Sequence, residues 1–140
     1  MVKDDCIFCK IANGEIPSTT LYEDEKFRVI LDLGPASKGH SLVIPKEHFE
    51  DLFDLSKEYS SEVLSVAQKV GNAFKQGLSA EGFNIVQNNG EIAGQTVKHF
   101  HLHIIPRYTG GPELPLWNPG KLTPEIAEEI AKKVTISLDK

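Results

Sequence analysis

Apolar residues recur along the chain with two different periods. Over residues 57–76, Val63, Val66, Ala67, Val70, Ala73 and Phe74 fall three or four apart. That spacing predicts the main helix, with one apolar stripe turned to a core. Ser56 is placed to cap it, Glu58 and Glu62 sit in its early turns, and Gly77 stands just past its end. Elsewhere short β-prone runs are cut by turn residues. They predict strands at 21–23, 27–33, 41–44 and 82–87, with Asp24-Glu25-Lys26 as a hairpin turn and Pro45 closing the third strand. A last strand is predicted over His99 to Pro106. A short helix is predicted over 6–13, between Asp5 as cap and Gly14. Thr123 and Pro124 open a final helix with Ile126 and Ile130 on one side. Short connections and few crossover helices predict an antiparallel α+β fold.

The last strand changes the picture. Within Gly94-Gln95-Thr96-Val97-Lys98-His99-Phe100-His101-Leu102-His103-Ile104-Ile105-Pro106-Arg107, three of the chain's five histidines alternate with apolar residues. In an extended segment His99, His101 and His103 share one face, about 7 Å apart, while Phe100, Leu102 and Ile104 point to a core. A row of imidazoles adds little to packing but suits a proton, a phosphate or a metal.

Composition narrows the field. The chain has 140 residues, with 40% hydrophobic and 25% charged, which is room for one domain with a proper core. A net charge of −5 argues against broad contact with a nucleic-acid backbone, though a small nucleotide needs only a local pocket. The charged start Met1-Val2-Lys3-Asp4-Asp5 leads into no long apolar run. Neither a signal peptide nor a membrane span is expected, and the cytoplasm is the default location. Cys6 and Cys9 form a Cys-x-x-Cys pair, which is half of a tetrahedral metal site, a disulfide or a redox pair.

Several motifs in order resemble the histidine triad family of nucleotide hydrolases and transferases. They are Cys6-Ile7-Phe8-Cys9-Lys10-Ile11, Gly14-Glu15-Ile16-Pro17, Leu21-Tyr22-Glu23-Asp24-Glu25, Asp32-Leu33, Gly39-His40-Ser41-Leu42-Val43-Ile44-Pro45-Lys46-Glu47-His48, and the triad with its Gly94-Gln95-Thr96-Val97-Lys98 lead. The resemblance covers residues 6–107 as the core of a single domain spanning 1–140, with 108–140 as a C-terminal extension. It implies a histidine triad fold: about five antiparallel strands, one long helix and one or two shorter ones, and a homodimer with a continuous sheet.

The resemblance also assigns roles. His101 would be the nucleophile that attacks the α-phosphate of a purine nucleotide, forming a covalent nucleotidyl-histidine before water releases a nucleoside monophosphate. His103 would contact the phosphate oxygens and aid the leaving group, and His99 would buttress the site. Asn88, Gly94, Gln95 and Thr96 would serve the phosphate and Asp32 the ribose. Phe8, Ile11 and Leu33 would sandwich the base, with His40 close behind. The uridylyltransferase branch carries Gln where His103 stands, which sets it aside. Asn88 and Asp32 match the phosphoramidase branch; the alternatives are a dinucleoside polyphosphate hydrolase and a nucleotide-sensing dimeric regulator. Some bacterial relatives imply a structural zinc ion held by Cys6, Cys9, His48 and His99, with no metal needed for the chemistry. Neither nucleic acid nor membrane is an expected partner.

Overall fold

A computed structural model of the chain describes residues 1–138. Five strands form one antiparallel sheet: β1 (Thr20–Glu23), β2 (Phe27–Leu31), β3 (Ser41–Pro45), β4 (Gly82–Val86) and β5 (Leu102–Arg107). Their spatial order is β1-β2-β3-β5-β4, so β3 and β5 lie at the centre and β4 forms an edge. The turn between β1 and β2 is held by Asp24, whose carboxylate accepts from the Lys26 and Phe27 amides at 2.8 Å each.

Each face of the sheet is covered by a helix. On one side α3 (Val63–Leu78) turns Val66, Ala67, Val70 and Phe74 onto Phe27, Val29, Val43, Phe100, Leu102 and Ile104. Burial of such side chains contributes about 1.5–3 kcal/mol each before entropy is charged against it. On the other side the short α1 (Ile7–Ala12) lays Phe8, Ile11 and Ala12 against Ile30, Leu42 and Ile44. The alternation of β5 divides the chemistry from the core: Leu102 and Ile104 serve the α3 side, and His103 and Ile105 face the α1 side.

Several elements depart from the sequence expectation. The helix predicted over 57–76 is two helices, α2 (Lys57–Ser60) and α3. Between them the Ser60 and Ser61 hydroxyls donate to the carbonyls three residues back, competing with the helical ladder. Tyr59 is drawn inward to stack edge-on with Phe27 and Phe49. Gly77 lies within α3, and Ser79 makes the left-handed cap at φ 57°. The cap of α1 is Cys6, not Asp5, because its sulfur accepts from the Cys9 amide. β2 stops at Leu31, which leaves Asp32 and Leu33 in the following loop. The strand predicted from His99 begins only at Leu102, so two of the three triad histidines precede the ladder.

The final helix, α4 (Pro124–Leu138), forms where Thr123 caps it, its hydroxyl oxygen accepting from the Ile126 amide at 3.3 Å. None of its residues is buried. Among the described residues, no helix is long and apolar enough to cross a membrane.

Candidate functional site: a histidine row and a cysteine-histidine cluster

The three histidines of the row meet different neighbours, and backbone groups decide how each is used. His101 is 7% exposed. Its Nδ1 lies 2.8 Å from the His99 carbonyl oxygen, which has no proton to give. The hydrogen must therefore sit on Nδ1, and Nε2 keeps its lone pair. Burial pushes the His101 imidazole below its ordinary range, against the support of that carbonyl, so it stays neutral.

His103 is fixed by a chain of donors. The Ala36 amide donates to His40 Nδ1 at 2.9 Å, which places the His40 hydrogen on Nε2. That nitrogen lies 2.9 Å from His103 Nδ1 and 3.5 Å from Asp32 Oδ2. His103 Nδ1 accepts, so its own hydrogen is on Nε2. Two adjacent imidazoles, with ring centres 5.1 Å apart, thus carry opposite tautomers: an acceptor at His101 and a donor at His103. Burial first, then the neighbouring His101 and His40, pushes His103 down to about 4. His40 is also lowered, by burial and by the charge of Arg107, with Asp32 opposing. The approach to His40 needs glycine at 39: φ is +91°, and a Cβ there would meet Phe74 at 3.1 Å.

Asp32, His40 and His103 are close enough to suggest a cation site. The tautomer argues against it. His40 could ligate through Nε2 only by moving its hydrogen to Nδ1, where it would face the Ala36 N–H. This cluster is built for a proton.

His99 belongs to a different group. Its Nε2 lies 2.9 Å from the Pro45 carbonyl and donates to it, which turns the lone pair of Nδ1 to the cysteines. Cys6 Sγ is 3.2 Å and Cys9 Sγ 3.5 Å from that Nδ1, and Cys9 Sγ is 3.4 Å from His48 Nδ1. Zinc–sulfur and zinc–nitrogen bonds at tetrahedral angles put sulfur and nitrogen roughly 3.6 Å apart. The four donor atoms all lie within 4.8 Å of one another. A backbone carbonyl on the far ring nitrogen is the usual partner of a metal-bound histidine. The Lys3 amide, 3.4 Å from Cys9 Sγ, favours the thiolate. Without a metal, burial raises the Cys9 thiol and lowers His99 to about 4 and His48 below its usual range. These residues fit a closed four-ligand metal site.

The remaining expected residues are placed unevenly. Phe8 stacks edge-on against His101, with centres 4.9 Å apart, and Ile11 lies beside it over β2 and β3. Leu33 is fully exposed. Asp32 accepts from the Gly34 amide through Oδ1, which leaves Oδ2 on the His40 side. In the loop before the triad, Gly94 has φ +96° and lies against the Asn88 amide group. Gln95 ties that loop to the segment after β3: its amide donates to the Glu50 and Val97 carbonyls, and its oxygen accepts from the Gly90 amide. Thr96 is exposed and lines a pocket with Cys6 and His48. The groups that sequence reading missed are backbone ones, namely the carbonyls of Pro45 and His99 and the amide of Ala36. They carry no residue signature.

Fold and site together define a protein that presents neutral imidazoles on an antiparallel sheet beside a separate cysteine–histidine cluster. Comparison with known proteins gives the group a name. The HIT domain profile matches residues 13–110. An adenosine 5′-monophosphoramidase of Schizosaccharomyces pombe is 42% identical over 92% of this chain and 98% of its own. The crystal structure of a HIT family protein from Bacillus anthracis superposes with a TM-score of 0.86 at 45% identity, covering 96% and 97% of the two chains. A zinc-bound histidine triad family protein from Mycobacterium smegmatis superposes at 0.72 with 46% identity, covering 76% and 77%. The chain belongs to the HIT, or histidine triad, family.

Proposed function

We propose that this protein hydrolyses purine nucleoside phosphoramidates at the α-phosphate by way of a covalent nucleotidyl-His101. The observation that carries the reading is the pair of opposed tautomers, a lone pair at His101 beside a donor at His103. The relation to an adenosine 5′-monophosphoramidase supports it.

In the first step the Nε2 lone pair of His101 attacks phosphorus and the bond to the leaving nitrogen breaks. The positive charge that develops on His101 is stabilised through Nδ1–H by the His99 carbonyl. The leaving nitrogen takes a proton from solvent. His103 Nε2–H donates to the phosphoryl oxygens as they gather charge, together with Asn88 and the Gly94 backbone. Water then attacks phosphorus, the bond to His101 breaks, and the nucleoside monophosphate leaves. Phe8 and Ile11 hold the base, with Leu33 closing on its outer side, and Asp32 takes the ribose hydroxyls. His40 is a positioning residue: it holds the His103 tautomer and touches no reacting atom.

The decisive experiment is rapid-quench mass spectrometry with adenosine 5′-phosphoramidate, comparing wild type with His103→Ala. An adenylate adduct on His101 is expected in both, formed about 100-fold more slowly in the variant. Because both imidazoles are lowered, the acid limb of the wild-type burst should fall at a lower pH than the titration of a free imidazole near 6.5. An adduct on another residue, or hydrolysis with no adduct at any quench time, would sink the covalent route.

Cys6, Cys9, His48 and His99 would hold a zinc ion through four protein ligands, and the ion would serve structure by pinning α1 to the histidine row. The zinc-bound relative supports the choice of ion.

Two copies pair through β4. Its outer edge is open. Beside it, Leu64, Gly71, Phe83 and Ile85 line an apolar groove of about 430 Å³, with Leu64 and Ile85 largely exposed. Sedimentation should give twice the chain mass of 15.5 kDa, and Ile85→Asp should shift it towards the single chain. A wild-type protein that sediments as one chain would overturn the pairing.

A further inference from the structure

In the loop that leads to the histidine row, hydrogen bonds gather at the two ends. The alternation of β4, carried past its end at Val86, sends Asn88 to the side of His103 and turns Gln87 and Asn89 the other way. There the two side chains pair as reciprocal amides. Asn89 Nδ2 donates to Gln87 Oε1 at 2.7 Å, and Gln87 Nε2 donates to Asn89 Oδ1 at 2.9 Å. Gln87 Nε2 also reaches the Asn88 carbonyl at 3.2 Å. Asn89 Oδ1 takes a second donor, the Leu52 amide, at 2.7 Å. At the other end of the loop the buried Gln95 donates to the Glu50 carbonyl at 2.7 Å. Both ends are thus tied to one short segment, 50–52.

That segment holds its own shape. Asp51 Oδ1 accepts from the Phe53 and Asp54 amides, and Asp54 Oδ2 accepts from the Glu50 amide. Its flanks enter the core at Phe49 and Leu55, and the Phe100 amide donates to the Phe49 carbonyl at 2.6 Å. The loop between the two ties adds nothing to that core. None of residues 91–93 is buried, and Ile92 is fully exposed. The bonds therefore do not fasten a piece of the interior. What they fix is the pair Asn88 and Gly94, which lie against each other just inside the ties. Of the three successive amide side chains at 87–89, that of Asn88 alone makes no hydrogen bond among the described residues, so its donors stay free.

We infer that Asn89, with Gln87 beside it, is a positioning residue: it holds the Asn88 amide where charge gathers on the phosphoryl oxygens, and touches no reacting atom itself. The inference rests on the phosphoramidate hydrolase reading, in which Asn88 donates to those oxygens. A donor serves the transition state best when it is fixed beforehand, because a loop that orders only during the reaction loses the gain to entropy. A neutral amide suits position 89. The site needs a donor for Gln87 and an acceptor for two N–H groups. Ala supplies neither, and a carboxylate has no donor.

The test is a double-mutant cycle on adenosine 5′-phosphoramidate with wild type, Asn88→Ala, Asn89→Ala and the two combined. Asn89→Ala should lower kcat by about 30-fold, a smaller loss than outright removal of a transition-state donor. Affinity for AMP should change less than about threefold, since base and ribose are held by other groups. In the Asn88→Ala background the same substitution should change kcat by less than about twofold, because the group it positions is already gone. Effects that multiply in the double variant would overturn the inference, as they would for a residue that merely stabilises the fold. So would a kcat in Asn89→Ala within about threefold of wild type. If Asn89→Ala does not fold, Gln87→Ala takes its place in the cycle with the same outcomes expected. It opens the amide pair from the other side and leaves the Leu52 bond intact. AMP release by wild type together with multiplying effects removes the positioning role alone. No AMP release by wild type removes the hydrolase reading and this inference with it.

Discussion

Replacing His101 with Ala is expected to lower turnover of adenosine 5′-phosphoramidate by at least about 10⁴-fold while nucleotide affinity changes less than about threefold. The asymmetry follows from what the ring does. In the proposed route its Nε2 supplies the electron pair that forms the bond to phosphorus, and no other histidine of the row is set to replace it. His103 holds its hydrogen on the corresponding nitrogen, and the lone pair of His99 points to the cysteines. Loss of a covalent nucleophile removes the two-step route and leaves only the slow direct attack of water. Binding in this reading relies on other groups: the apolar contact of Phe8 and Ile11, the Asp32 carboxylate and the loop around Gly94. Isothermal titration with AMP and steady-state kinetics on one preparation would measure both quantities. A variant that keeps even a tenth of wild-type turnover would show that the nucleophile lies elsewhere.

The second large effect concerns stability. Protein purified without chelator should carry about one zinc per chain, and removing it, or replacing Cys6 with Ser, should lower Tm by about 10 °C or more. The proposed ligands lie at positions 6, 9, 48 and 99, so one ion would join the N-terminal helix to segments that are far apart in sequence. A ligand that binds only the folded state stabilises it by the logarithm of its saturation, and about 3 kcal/mol corresponds to roughly 10 °C for a chain of this size. Acid should release the ion. Burial raises the Cys9 thiol, so protons compete for that sulfur increasingly as pH falls. Metal analysis combined with calorimetry, with and without chelator, checks this. Equal melting of Cys6→Ser and wild type, with no copurifying zinc, would dismiss the ion.

Much of this was legible in the sequence, for reasons that differ by element. The period of α3 from Val63 to Phe74 is a direct image of burial, so the fold class could be read; the alternation from His99 to Ile104 marked the apolar residues that pack under α3, although His99 and His101 are buried as well. The break at Ser61 could not, because it depends on Tyr59 finding Phe27 and Phe49, residues distant along the chain. Site residues with distinctive chemistry stood out, and the structure brings Cys6, Cys9, His48 and His99 together as expected. Which proton sits where stayed hidden. It is decided by the carbonyls of Pro45 and His99 and the amide of Ala36, groups every residue type supplies.

One residue serves both halves of the molecule. The side chain of His99 belongs to the sulfur cluster, while its main-chain oxygen orients the ring of His101. The four cluster positions are therefore unequal in the substitutions they tolerate. Outside the cluster Cys6 and Cys9 serve only the N-terminal segment, as the cap of α1 and as acceptor for the Lys3 amide, and a lineage that gained stability elsewhere could lose these and His48 one at a time with its chemistry intact. Position 99 lacks that freedom, because a different side chain there moves the peptide on which the neighbouring ring depends. Descent should erode the cysteines first and the histidine last.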